Sequence, residues 1–135
     1  MSGSKIEATV VLVHGAWADG SSWAHVIKPL LSGGIKTLAA PIPLTSLSDD
    51  VVALERALER TDGPVVLVAH AYAGAVIGAT SNERVRSLVF VAALTPAEGE
   101  TVGEVTGWAG PLPHGDLRAC HHWRFHQRSF GRFSP

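Results

Sequence analysis

Thr9-Val-Val-Leu-Val13 and Val65-Val-Leu-Val-Ala69 are short runs, rich in β-branched residues, with no polar alternation through them. A strand with one face in water alternates apolar and polar residues. A run that does not alternate is buried on both faces, the condition of a parallel sheet covered by helices. Two weaker runs keep them company. Ile35 to Ala39 follows Gly33-Gly34 and stops before Pro41 and Pro43, and Val85 to Ala92 centres on Val89-Phe90-Val91. The pattern predicts strands near 8–13, 35–39, 65–69 and 85–92.

The segments between them read as helices. Ser22 to Ser32 carries a helical pattern that Pro29 should kink or confine to its first turns. Ser48 is placed as an N-cap, with Asp49 and Asp50 in the positive first turn and Val51, Leu54 and Leu58 on one face. Glu55 and Arg56 fall beside that stripe, toward solvent. Ala73 to Thr80 is built of small apolar residues, suited to close packing against a sheet. Strands alternating with helices imply right-handed crossovers and an α/β fold, a parallel sheet with helices on both faces. Ligands in such sheets bind beyond the carboxyl ends of the strands, so the turns after Val13, Ala69 and Ala92 are where chemistry is expected.

Those turns carry a resemblance. His14-Gly15-Ala16-Trp17-Ala18-Asp19-Gly20-Ser21-Ser22-Trp23 follows the first strand, and His70-Ala71-Tyr72-Ala73-Gly74-Ala75 runs from the third strand straight into a helix. With Asp62-Gly63-Pro64-Val65-Val66-Leu67-Val68 and Leu94-Thr95-Pro96-Ala97-Glu98-Gly99-Glu100, they resemble the α/β-hydrolase family, in particular its small esterase-like members, over about residues 6–100. The resemblance implies that the first strand lies between the second and third. It also implies a nucleophile elbow, where a strained turn lifts the reacting side chain above the sheet.

Ala71 stands at the nucleophile position, where the family has serine. A methyl group cannot attack a carbonyl, and the elbow contains no other serine, cysteine or aspartate. Either the serine was removed to trap a ligand, or the chain descends from an active enzyme. The resemblance assigns the oxyanion hole to the amides of Ala16 and Tyr72, with the Tyr72 hydroxyl as a lesser candidate for ligand contact. Trp17 is the expected substrate-binding residue, and Trp23 is as readily core or pocket wall. His14 and His70 each end a strand, where a ring nitrogen can pin a neighbouring turn. Ala69 and Ala73 fill places that must be small because strand and helix nearly touch.

The chemistry implied is carboxylic-ester hydrolysis through an acyl-enzyme on a small ester or carbonyl ligand, with no metal or cofactor. As written the chain is expected to be inactive. The alternative is a non-catalytic ligand-binding protein or a decayed fragment. The family's acid and general base come later in its chain, so the sheet is read as truncated after its fourth strand.

Charge marks a boundary near residue 106. Residues 1–106 hold 7 Lys+Arg against 11 Asp+Glu, and residues 107–135 hold 4 Arg and one acid, Asp116. The second segment also has four of the seven histidines. It fits either the start of a cap, over Phe125 to Phe130, or a shifted reading frame. Cys120, His121, His122 and His126 invite a zinc reading, since His122 and His126 are four apart. No carboxylate or second cysteine completes the set, and a solvated tail is the preferred reading. A net charge of −1 argues against nucleic-acid capture. One cysteine, a polar start and no long apolar run lead to the expectation of a cytoplasmic protein without a membrane segment.

Overall fold

The computed structural model describes residues 7–96. The boundary near 106, the 107–135 tail and its Cys/His cluster lie outside the described residues. Four strands form one parallel sheet: β1 (Thr9–Val13), β2 (Thr37–Ala40), β3 (Val65–Ala71) and β4 (Val85–Ala93), in the order β2-β1-β3-β4. Every pairing is parallel. The first strand lies between the second and third, as the resemblance implied. Strand limits differ modestly from the sequence reading. β2 begins at Thr37, because the Ile35 N–H is used to close the preceding helix by donating to the Leu30 carbonyl. β3 runs two residues past Ala69, and β4 ends at Ala93.

Three helices complete the crossovers: α1 (Ala24–Ser32), entered through a 3-10 turn at Gly20–Trp23, α2 (Leu47–Leu58) and α3 (Ala73–Ala79). The chain steps one way across the sheet from β1 to β2, then reverses toward β3 and β4. Right-handed crossovers therefore put α1 on one face and both α2 and α3 on the other. Val11, Val13, Val65, Leu67 and Ala69 pack with Leu54, Leu58, Ala75, Val76 and Ile77 to make the principal core. Pro29 does not limit α1 to its first turns. The helix continues to Ser32, and the Gly33 amide closes onto the Pro29 carbonyl at 3.0 Å.

Two expectations for α2 are corrected. Its N-cap is Ser46, whose hydroxyl accepts from the Asp49 amide at 3.0 Å, while Ser48 lies inside the first turn. Ser46 wins because it has extended backbone, which lets its side chain reach back to the third amide of the helix. Glu55, expected in solvent, accepts from the Asn82 side chain at 2.9 Å and ties α2 to the turn before β4. Arg84 strengthens that tie, donating to the carbonyls of Leu58, at 2.6 Å, and Thr61.

The tightest point is where α3 crosses the chain leaving β4. A Cβ on Gly74 would run into the Leu94 carbonyl, standing 2.9 Å from its carbon and 3.0 Å from the Ala93 Cβ. Gly78, one turn later, has nothing within 4 Å of such a Cβ. The two glycines should therefore answer substitution with opposite signs. Gly74→Ala is expected to destabilise by about 1–3 kcal/mol through overpacking against backbone. Gly78→Ala is expected to stabilise by about 0.4–1 kcal/mol by restricting the unfolded chain. Urea midpoints of the two variants check this, and a stable Gly74→Ala chain would refute the packing account.

Candidate functional site

β3 ends at Ala71, and only Tyr72 separates it from α3. A strand can turn into a helix so abruptly only if the joining residue leaves the ordinary right-handed region. Ala71 does so, with φ +52°. Three other non-glycine residues have positive φ: Trp17 at 62°, Leu44 at 60° and Ala92 at 43°. Each of the four lies at or just past the carboxyl end of a different strand. Such conformations cost about 1–3 kcal/mol apiece and survive where surrounding structure over-determines them. Backbone strain in the described residues is gathered at one rim of the sheet, the rim where the topology places a ligand.

Ala92 follows from Ala71. The β3–β4 register pairs His70 with Val91 and Ala71 with Ala93, so Ala92 is an extra residue bulged out to follow the turn. The Leu94 amide then donates to the Ala71 carbonyl at 2.9 Å. Ala69 and Ala73, both fully buried, occupy the places that must be small.

The turn after β1 lies directly against this elbow. A Cβ on Gly15 would sit 3.2 Å from the Ala71 Cβ and 3.4 Å from the His70 carbonyl oxygen. Ala16 and Trp17 thus follow a glycine with little room for a side chain between it and Ala71. The Ala16 amide donates to no acceptor among the described residues. Trp17 is 61% exposed at the rim. Trp23 is buried, with its ring edge-on to that of His70 at 6.4 Å between centroids. Its indole N–H meets no acceptor among the described residues. Asp19 caps the 3-10 turn by accepting from both the amide and the hydroxyl of Ser21, which hold its carboxyl below the ordinary range.

His14 is 2% exposed. Its Nε2 accepts from the Ile42 amide at 3.3 Å, so the proton is on Nδ1, which donates to the Gly15 carbonyl at 2.9 Å. The ring pins two turns, as a strand-ending histidine can. His70 is exposed and contributes the ring contact to Trp23.

The sequence reading missed Asp50. Its position in the first turn of α2 suits the helix dipole, yet it is fully buried. Its Oδ2 accepts from the Tyr72 hydroxyl at 2.7 Å, and its Oδ1 from the Leu44 amide at 2.7 Å. The Tyr72 hydroxyl therefore points into the protein, which corrects its candidacy as a ligand contact. A signal was available: Asp50 is three after Leu47 and four before Leu54, on the apolar stripe itself. Burial raises the Asp50 carboxyl above its ordinary value. The Tyr72 and Leu44 donors pull it back, with smaller opposed effects from Asp49 and His14. No group of three or more metal-ligating side chains occurs among the described residues, and none of their helices is long and apolar enough to cross a membrane.

The chain matches the Alpha/beta hydrolase family over residues 10–135. Among solved structures it is similar to an extracellular alpha/beta-hydrolase from a Paenibacillus species, described as sharing structural and functional homology with tobacco salicylic acid binding protein 2. The identity is 22%, the TM-score 0.67, and the match covers 72% of this chain and 45% of that one. It is also similar to a pyrethroid hydrolase from Sphingobium faniae JZ-2, at 22% identity and TM-score 0.65, over 80% of this chain and 48% of that one. The chain spans about half the length of these proteins. At such identities the likeness establishes the fold. No curated protein matches the chain.

Asp50 has a consequence for stability against pH. Its folded value lies above the unfolded one, so the unfolded chain loses this proton first as pH rises. Between those two values the native state binds more protons, and stability falls with rising pH. Asp50→Asn removes that dependence. The stability of the Asn variant minus that of the parent should therefore increase with pH from the ordinary carboxyl value upward, then level off. Urea unfolding from about pH 4 to about pH 8 measures it. A flat or falling difference would contradict burial as the dominant effect.

Proposed function

We propose that this chain, which belongs to the alpha/beta hydrolase family, carries the carbonyl-binding side of a carboxylic-ester hydrolase site. In the intact reaction a serine at position 71 attacks the ester carbonyl, forms an acyl-enzyme and releases the alcohol; water then frees the acid. The amides of Ala16 and Tyr72 receive the carbonyl oxygen as it gains negative charge. Trp17 forms an apolar wall at the mouth, suited to a small ester or carbonyl ligand.

The observation that carries this reading is the elbow itself. A left-handed residue at a one-residue passage from strand to helix, pressed against the Gly15-Ala16 turn, is an expensive arrangement for a merely structural link. It persists here with a methyl group where the nucleophile belongs. Loss of a nucleophile costs on the order of 10⁶ in turnover, while binding and oxyanion stabilisation survive. His14 cannot take over as base without breaking a bond, since both of its nitrogens are engaged. Ala71 thus favours a second reading for the chain as written: a ligand binder that holds a carbonyl without cleaving it.

Burst kinetics with 4-nitrophenyl butyrate test the chemistry. The chain should show no burst and no turnover above a denatured control; a stoichiometric burst would sink the assignment of Ala71. Methyl butyrate titrated into ¹⁵N-labelled protein tests the binding. Amide resonances of Ala16 and Tyr72 should move together, and shifts confined to other regions would place the ligand elsewhere.

A further inference from the structure

We infer that Asp50 is the positioning residue of the Ala16–Tyr72 amide pair, one buried carboxylate bracing both members. The inference rests on the reading of that pair as a carbonyl site, and extends it to a residue with no ligand contact of its own.

The brace to Tyr72 is direct. Tyr72 is buried, has helical backbone angles of φ −53° and ψ −35°, and directly follows the left-handed Ala71. Its hydroxyl is anchored to Asp50 Oδ2 at 2.7 Å, across the interface between α3 and α2. A hydrogen bond to a buried carboxylate is about twice as strong as a neutral one. With the hydroxyl fixed at one end of the side chain and the Ala71 carbonyl held by the Leu94 amide on the other side, the Tyr72 amide has little freedom to turn.

The brace to Ala16 is a relay. Asp50 Oδ1 accepts from the amide of Leu44, the residue held at φ 60°. Two residues earlier in the same loop, the Ile42 amide donates to His14 Nε2, and His14 Nδ1 donates to the Gly15 carbonyl. That carbonyl belongs to the peptide unit whose nitrogen is the Ala16 amide. The same oxygen also accepts from the Ala18 amide at 3.3 Å, and the direction of the carbonyl sets the direction in which the Ala16 N–H points. The path runs Asp50, Leu44, Ile42, His14, Gly15, Ala16, with hydrogen bonds at three of its steps.

The arrangement makes the two halves separable. Tyr72→Phe cuts the direct brace only, and His14→Phe cuts the relay only. Asp50→Ala cuts both, while Asp50→Asn keeps one acceptor oxygen and loses the other. Leu54→Ala serves as a control: Leu54 is buried in the same helix one turn on, and its loss lowers stability without touching either path.

The test uses the full 135-residue chain, ¹⁵N-labelled, with ¹³Cζ in its single tyrosine, Tyr72. All spectra are taken where urea curves show each variant folded. Without ligand, Asp50→Ala should shift the amides of both Ala16 and Tyr72 and the tyrosine ¹³Cζ signal. Tyr72→Phe should shift the Tyr72-position amide alone, His14→Phe the Ala16 amide alone, and Leu54→Ala neither. With methyl butyrate as probe, Asp50→Ala should weaken binding about tenfold or more, Asp50→Asn less, and Leu54→Ala not at all. If Asp50→Ala fails to fold, Asp50→Asn and the two single-path variants decide the matter by the same shifts. The inference is overturned if Asp50→Ala leaves the Ala16 amide unmoved, or if Leu54→Ala moves both amides as much. A parent chain that binds no methyl butyrate refutes the carbonyl reading instead, and the ligand-free shifts still judge the brace.

Discussion

The hydrogen bond from the Leu94 amide to the Ala71 carbonyl closes the turn on which the rest of the rim depends. A parallel strand cannot become a helix within one residue unless the chain reverses sharply, and the reversal demands a left-handed joint at Ala71. That joint rotates the Ala71 carbonyl out of the regular ladder, so the next strand must adapt to meet it. β4 adapts by bulging at Ala92 and presenting Leu94 instead. The same reversal brings α3 onto the backbone leaving β4, and only a residue without Cβ fits at Gly74. One local constraint thus propagates into the bulge, the glycine and the small residues at 69 and 73.

Strain of this kind has to be held by something. At this rim buried polar groups tie the strained turns to one another. His14 takes an amide from one loop and gives its proton to a carbonyl in another. Asp50 takes an amide from that first loop and the hydroxyl of Tyr72. A charge buried away from water is costly unless its oxygens find donors, and here each oxygen finds one at 2.7 Å. The cost remains visible in the raised Asp50 carboxyl. Bonds from a buried acid tie strained turns together with a directional control that apolar packing lacks.

The two sides of the sheet are unequal. α2 and α3 close one face over a continuous core, whereas α1 buries none of its residues fully. On β4, Val89, Phe90 and Val91 are exposed, and its outer edge pairs with no strand among the described residues. Exposed β-branched residues on an open edge are the features that natural sheets usually cover.

The order of strands and helices was legible in the sequence, because continuous apolar runs and a stripe at helical spacing are local patterns that burial imposes on any such chain. The sharp passage from β3 into α3 was legible too, since a strand ending in His70-Ala71-Tyr72 and passing at once into small residues has few ways to fold. So was the methyl group at position 71, which no structure could alter. Tertiary structure alone decided which buried polar groups meet beside that turn. Asp50 and Tyr72 are 22 residues apart and His14 and Ile42 are 28 apart, and although the place of Asp50 on the apolar stripe marks it for burial, nothing local says which donors it meets. The choice of Ser46 over Ser48 as cap turned on backbone geometry, and the turning of the Tyr72 hydroxyl inward turned on the approach of α2 to α3. Side-chain periodicity reports how a segment meets water. Which polar group meets which is settled only when distant segments come together and each buried donor must find an acceptor.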